Sequence, residues 1–171
     1  MFISYRRDTQ PWVRQVCRAY EEKGTAKIWV DYESIIDGNV DYRAEMQLGL
    51  DRADWIVLVL SPGYFESPWC TYELTTALAR RRLNNQNIAW VCVDDNCPAE
   101  RRSRPEDHAR ELAKAATRFA SEAHFFETQL DLVLNQTRLS PAVIATSGTE
   151  AEAEAQRSAV VDSILAFAKG Y

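Results

Sequence analysis

The stretch Trp55-Ile56-Val57-Leu58-Val59-Leu60 is apolar at every position and stops at Ser61-Pro62-Gly63. A strand with one wet face alternates apolar and polar residues, so six apolar residues in a row need cover on both faces. They read as a central strand of a parallel sheet with helices on either side. Upstream, Phe2–Tyr5 reads as the first strand, and Pro11–Glu22 as a helix with Trp12, Val13, Val16, Cys17 and Tyr20 on one face. Gly24 ends that helix, and Lys27–Asp31 reads as a second strand. The loop Tyr32–Asp41 leads to a short helix, Arg43–Arg52, with Met46, Leu48 and Leu50 at its buried side.

Downstream, Ser61-Pro62-Gly63 reads as a turn. Ser67-Pro68 is a helix start, with serine as N-cap and proline at the first helical position. That helix runs to about Leu83, and Ile88–Val93 is the fourth strand. Asp94–Arg104 is a polar loop, Pro105–Phe119 a helix and Ala123–Phe126 a short fifth strand. Leu130–Leu134 reads as helical and Ser140–Gly148 as a loop. Thr149 caps a last helix to about Lys169, whose core side is Val160, Val161, Ile164, Leu165 and Phe167. Strands alternating with helices in this way predict an α/β fold with a parallel sheet.

At 171 residues the chain is one ordinary domain. Lys and Arg number 20 against 25 Asp and Glu, a net charge of -5, which argues against nucleic acid or an anionic membrane as the main partner. No apolar run exceeds six residues, far short of a membrane span. Phe2–Tyr5 reads as a strand rather than as part of an export leader, so the expectation is a cytoplasmic protein with reduced thiols at Cys17, Cys70, Cys92 and Cys97. Neither His108 nor His124 has a partner at ligand spacing, and no metal site is expected. The 6 glycines fall too far apart for a dinucleotide fingerprint or a Walker loop, and no G-x-S-x-G elbow is present.

Open parallel sheets collect ligands at the carboxyl ends of their strands. The loops there carry Arg6, Arg7, Asp8, Asp31, Glu33, Ser34, Asp37, Ser61 and Tyr64. On the helix that follows, Leu74, Ala77 and Leu78 share the sheet-facing side. Trp69 and Glu73, four apart, share another. An indole beside a carboxylate near the ligand edge suits a flat cationic ring attached to a sugar. Each residue also has an ordinary reading: Glu73 as a solvated helix glutamate, Trp69 as core, Arg6 and Arg7 as surface charge, Asp31 and Glu33 as caps of their loop.

Four strings together resemble the Toll/interleukin receptor (TIR) domain family: Phe2-Ile3-Ser4-Tyr5-Arg6-Arg7, Asp31-x-Glu33 with Gly38, Leu58-Val59-Leu60-Ser61-Pro62-Gly63, and Trp69-Cys70-Thr71-Tyr72-Glu73-Leu74. They occur in family order and spacing across residues 2 to 127. The resemblance implies a flavodoxin-like three-layer α/β fold with a central five-stranded parallel sheet. The TIR domain would span 1–135, with 136–171 a loop and C-terminal helix packed on it or extending it. The Trp-x-x-x-Glu spacing resembles that of members that cleave NAD+, which implies an NAD+ glycohydrolase with Glu73 as the catalytic residue. NAD+ would be the substrate and no cofactor would be needed. Tyr5, Arg6, Arg7, Asp31, Glu33, Ser61, Tyr64 and Trp69 would bind the substrate. Some enzymatic relatives carry an aromatic after the glycine of the second loop, where this chain has Val40; Tyr42 is its nearest substitute.

The family also implies a homo-oligomer built through TIR–TIR contacts, a role in bacterial defence, and a separate sensor protein or additional domain. Ile35 and Ile36, with Asp37 and Gly38, mark the expected assembly loop, since paired isoleucines stand out in a polar segment. Their alternative reading is a local core plug, and the family resemblance tips the balance to assembly. Two other functions fit the pattern: a non-catalytic TIR adaptor acting through homotypic contacts, and a nucleoside deoxyribosyltransferase-like enzyme with a similar carboxylate.

Overall fold

A computed structural model describes residues 1–23, 28–30, 42–84, 87–116 and 128–169. The chain runs β1 (Phe2–Ser4), a 3-10 turn (Arg7–Thr9), α1 (Gln10–Lys23), β2 (Trp29–Val30), α2 (Tyr42–Arg52), β3 (Trp55–Leu60), α3 (Pro62–Glu66) and α4 (Pro68–Asn84). It continues through β4 (Asn87–Cys92), a 3-10 turn (Ala99–Arg101), α5 (Pro105–Ala116), helical residues 128–134 (α6), β5 (Thr137–Arg138) and α7 (Glu150–Lys169). The strands form one sheet in the order β2-β1-β3-β4-β5, and every pairing is parallel. This is the flavodoxin-like order, whose direction of winding reverses between β1 and β3.

The apolar run in β3 explains the three layers. Ile56, Leu58 and Leu60 point to one face of the sheet with Phe2, Ile88, Trp90 and Cys92. Met46 and Leu50 of α2, Tyr64 and Phe65 of α3, Leu74, Ala77 and Leu78 of α4, and Ala109 and Ala113 of α5 cover that face. Val57 and Val59 point the other way with Ile3, Ala89 and Val91. There Trp12, Val13, Val16 and Tyr20 of α1 and Val160, Val161 and Ile164 of α7 pack on them. Each fully buried aliphatic side chain contributes roughly 1.5–3 kcal/mol of transfer free energy, so a strand with two apolar faces needs both helical layers.

Two sequence expectations change in the structure, and one strand appears that the sequence reading lacks. Ser61-Pro62-Gly63 does not form a simple turn. Ser61 is the N-cap of α3, its hydroxyl accepting from the Tyr64 N–H, with Pro62 at the first helical position. Leu48 does not join Met46 and Leu50 in the core. It is 36% exposed, because positions two apart on a helix lie about 200° apart around its axis. The edge strand beside β4 is Thr137–Arg138, paired at Ala89 and Trp90. The expected strand at Ala123–Phe126 lies outside the described residues.

The segment after β5 is tied to the same sheet. Ile144 N–H donates to the Cys92 carbonyl and Asp94 N–H to the Ile144 carbonyl, both at 2.9 Å. Thr149 caps α7 as expected and builds a reciprocal box. Its hydroxyl accepts from Glu152 N–H, and its own N–H donates to the Glu152 carboxylate at 2.9 Å. Hydrogen bonds from the Thr149 backbone and side chain hold the Glu152 carboxyl below its ordinary value. All four cysteines are buried thiols. Among the described residues, no helix is long and apolar enough to cross a membrane.

Candidate active site at the carboxyl edge of the sheet

Ser4, the last residue of β1, pairs in register with Leu58 of β3, at the point where the direction of winding reverses. The chain leaves β3 into α3 and turns at Ser67, whose carbonyl accepts from Thr71 N–H at 3.0 Å to begin α4. The Ser67 hydroxyl caps that start, accepting from Cys70 N–H at 3.4 Å. With Leu74, Ala77 and Leu78 committed to the sheet, the preceding residue Glu73 comes to rest over the end of β1 and is only 3% exposed.

Its partners there are specific. Ser4 Oγ donates to Glu73 Oε2 at 2.5 Å. The Tyr64 hydroxyl lies 2.9 Å from the same Ser4 oxygen. Ser4 has one hydroxyl proton and gives it to the carboxylate, so Tyr64 donates to Ser4. A chain of donors therefore runs from Tyr64 through Ser4 to Glu73. Burial, reinforced by neighbouring Cys70 and Glu73, pushes the Tyr64 phenol well above its ordinary value, and the Ser4 bond offsets only part of this. Tyr64 thus stays protonated at any working pH. Cys70, also buried, donates its thiol to the Tyr5 carbonyl at 3.6 Å and ties α4 to the end of β1.

The other expected site residues divide by exposure. Arg6 and Arg7 are exposed beyond β1, and Trp69 is 43% exposed at the head of α4. Tyr5, Ser61 and Tyr64 are buried and hold the edge together. Ser61 Oγ also lies 3.4 Å from both carboxylate oxygens of Asp8. Gly63 lets these loops approach, since a Cβ there would collide with the Asp8 carboxylate and sit 3.0 Å from Arg6 Cγ. Asp31, Glu33, Ile35, Ile36, Asp37, Gly38 and Val40 lie outside the described residues.

A cleft of about 430 Å³ opens on the same edge, bordered by Asp8, Trp12, Ser61, Asp94, Asp95 and Thr146. Behind it, buried Asp94 accepts from Asn96 N–H at 2.9 Å and meets His108 Nε2 at 2.8 Å. Asp95 clasps the segment before α7, accepting from Ser147 N–H at 2.8 Å and Thr146 Oγ1 at 2.7 Å. Burial works against the Asp95 charge, but the bonds from Thr146 and Ser147 outweigh it and hold the carboxyl below its ordinary value. The Asp94–His108 pair escaped the sequence reading because the two sit 14 residues apart, on either side of a loop with no periodicity. Ser4 had a detectable signal: a polar residue at the end of a doubly buried strand needs a polar partner.

The TIR domain family matches residues 1–129, a span that contains Ser4, Tyr64, Trp69 and Glu73. The chain belongs to the TIR domain family. Among solved structures, this TIR domain is similar to the TIR domains of the activated Roq1 resistosome directly recognizing the pathogen effector XopQ. The match has a TM-score of 0.68 and 20% identity over 96% of this chain and 95% of that one. A chain of the structure described as the thermophilic tryptophan halogenase (Th-Hal) from Streptomycin violaceusniger matches with a TM-score of 0.56 and 16% identity, over 96% and 97%. No curated protein matches this TIR domain in sequence. Both structural likenesses extend past residue 129 and concern the fold alone.

Proposed function

We propose that this TIR domain is an NAD+ glycohydrolase that releases nicotinamide and leaves ADP-ribose, linear or cyclised. The observation that carries the reading is Glu73, a carboxylate held at the switch point of the sheet by a donor chain, one helical turn from an exposed indole. In NAD+ the bond from ribose C1′ to the pyridinium nitrogen breaks with its electron pair moving to nitrogen. Nicotinamide leaves neutral and needs no general acid. Positive charge develops at C1′ and O4′; water then adds to C1′ and loses a proton to give linear ADP-ribose, or an adenine ring nitrogen of the same molecule bonds C1′ to give the cyclic form. A fixed carboxylate at short range stabilises that charge in the transition state more than in the ground state. Trp69 offers a face for the nicotinamide ring, and Arg6 or Arg7 offers a guanidinium for the diphosphate.

By analogy with the resistosome, catalysis would follow self-association, with the trigger coming from a sensor protein or a further domain, as in a defence effector. The depth of Glu73 favours one rival, a structural carboxylate in a non-catalytic adaptor. Nicotinamide release separates the two. Glu73→Gln keeps an oxygen that accepts from Ser4, so the fold should persist while cleavage falls at least about 100-fold, on the order of 3 kcal/mol. Near wild-type turnover in a folded Glu73→Gln protein would refute the assignment.

A further inference from the structure

We infer that Ser4 and Tyr64 are positioning residues for Glu73, a donor chain that fixes the carboxylate's orientation in the site. The inference rests on the NAD+ reading only for its kinetic consequence. A glutamate has three side-chain torsions, and an electrostatic role requires its charge to stay in one place while charge develops on the substrate. Ser4 is the right anchor, because β1 is locked by parallel pairing to β2 at Ile3 and to β3 at Ser4. Tyr64 is locked in turn. Its ring is buried in the core cluster and meets Phe65 edge to face at 5.7 Å.

The polarity of the chain matters. Tyr64 donates into Ser4, which strengthens the Ser4 hydroxyl as a donor to the carboxylate. A donor to the charged form favours that form, so loss of the Ser4 hydroxyl moves the carboxyl titration upward. The titratable groups that act on the Tyr64 phenol of α3 include Cys70 and Glu73 of α4. β1 contributes the neutral Ser4 hydroxyl, and Arg6 and Arg7 beyond it are exposed. The tyrosine is the far end of the chain because its phenol keeps its proton.

The test compares wild type, Ser4→Ala, Ser4→Cys and Tyr64→Phe in nicotinamide release across pH. Carbon-13 NMR titration of the Glu73 side-chain carboxyl, assigned against Glu73→Gln, runs in parallel. Ser4→Ala should lower kcat about 10- to 100-fold with KM changed less than about threefold, and raise the acid limb of kcat and the NMR midpoint by about one pH unit. Ser4→Cys, with a weaker donor, should fall between wild type and alanine. Tyr64→Phe keeps the ring in the core and should shift both readouts the same way by less, and it stands in if Ser4→Ala does not fold. A loss of kcat with the pH limb and NMR midpoint unmoved would overturn the inference, since a purely structural defect lowers amplitude alone. A wild-type protein that releases no nicotinamide would overturn the functional reading instead. The NMR midpoint then judges the donor chain by itself, an unmoved midpoint overturning it and a raised one upholding it.

Discussion

Glu73 and Trp69 sit one helical turn apart, yet one is 3% exposed and the other 43%. Spacing alone puts them on one face. What separates them is the end of β1, where Ser4 meets Glu73, while Trp69 stays exposed. The same edge makes Asp95 a measurable pH reporter. Its carboxyl is held below the ordinary value by Thr146 and Ser147, so it contributes stability above the unfolded value of about 4 and loses it as pH falls through the lower, folded value. Urea midpoints at pH 7 and pH 3 should therefore differ less in Asp95→Asn than in wild type. An equal drop in both proteins would show that the clasp is not sensitive to the charge.

Elements with strong apolar signals were readable in sequence, and β3 was read at its observed bounds, Trp55–Leu60. β5 was not, because Thr137 and Arg138 are both exposed and polar, and an edge strand needs only backbone pairing. Helix α2 shows the limit of counting apolar residues. Met46 and Leu50, four apart, are fully buried, while Leu48 between them turns outward. Leu50→Ala should cost about 2–5 kcal/mol in denaturant unfolding, the range for a buried leucine that leaves a cavity. Leu48→Ala should stay within about 0.5 kcal/mol. Similar losses at the two positions would contradict the orientation of the helix.

Taken whole, the molecule places its candidate site where the winding of the described sheet reverses, with β1 and β3 supplying the loops around it. The assembly proposed for it concerns residues 32–41, and its argument comes partly from the paired Ile35 and Ile36 in a polar loop and partly from the family resemblance. Head-to-tail contacts that complete a neighbour's pocket make activity per molecule rise with protein concentration. Ile36→Asp should flatten that rise while leaving the melting temperature nearly unchanged. Constant specific activity from dilute to concentrated protein, with light scattering showing monomer throughout, would refute assembly-dependent activity.

Residue pattern by itself determined the parallel α/β layering, the two helical covers, the capped starts of α4 and α7, and the family through its short strings around Ser4, Ser61 and Glu73. These are local properties: periodicity, cap chemistry and motif spacing all act over a few residues. Only the tertiary structure decided that Tyr64 donates inward to Ser4, that Ser4 meets Glu73, and that Asp94 pairs with His108. Those partners are 60, 69 and 14 residues apart. Their meeting depends on strand order and helix depth, and on the need of each buried polar group for a partner once water is excluded.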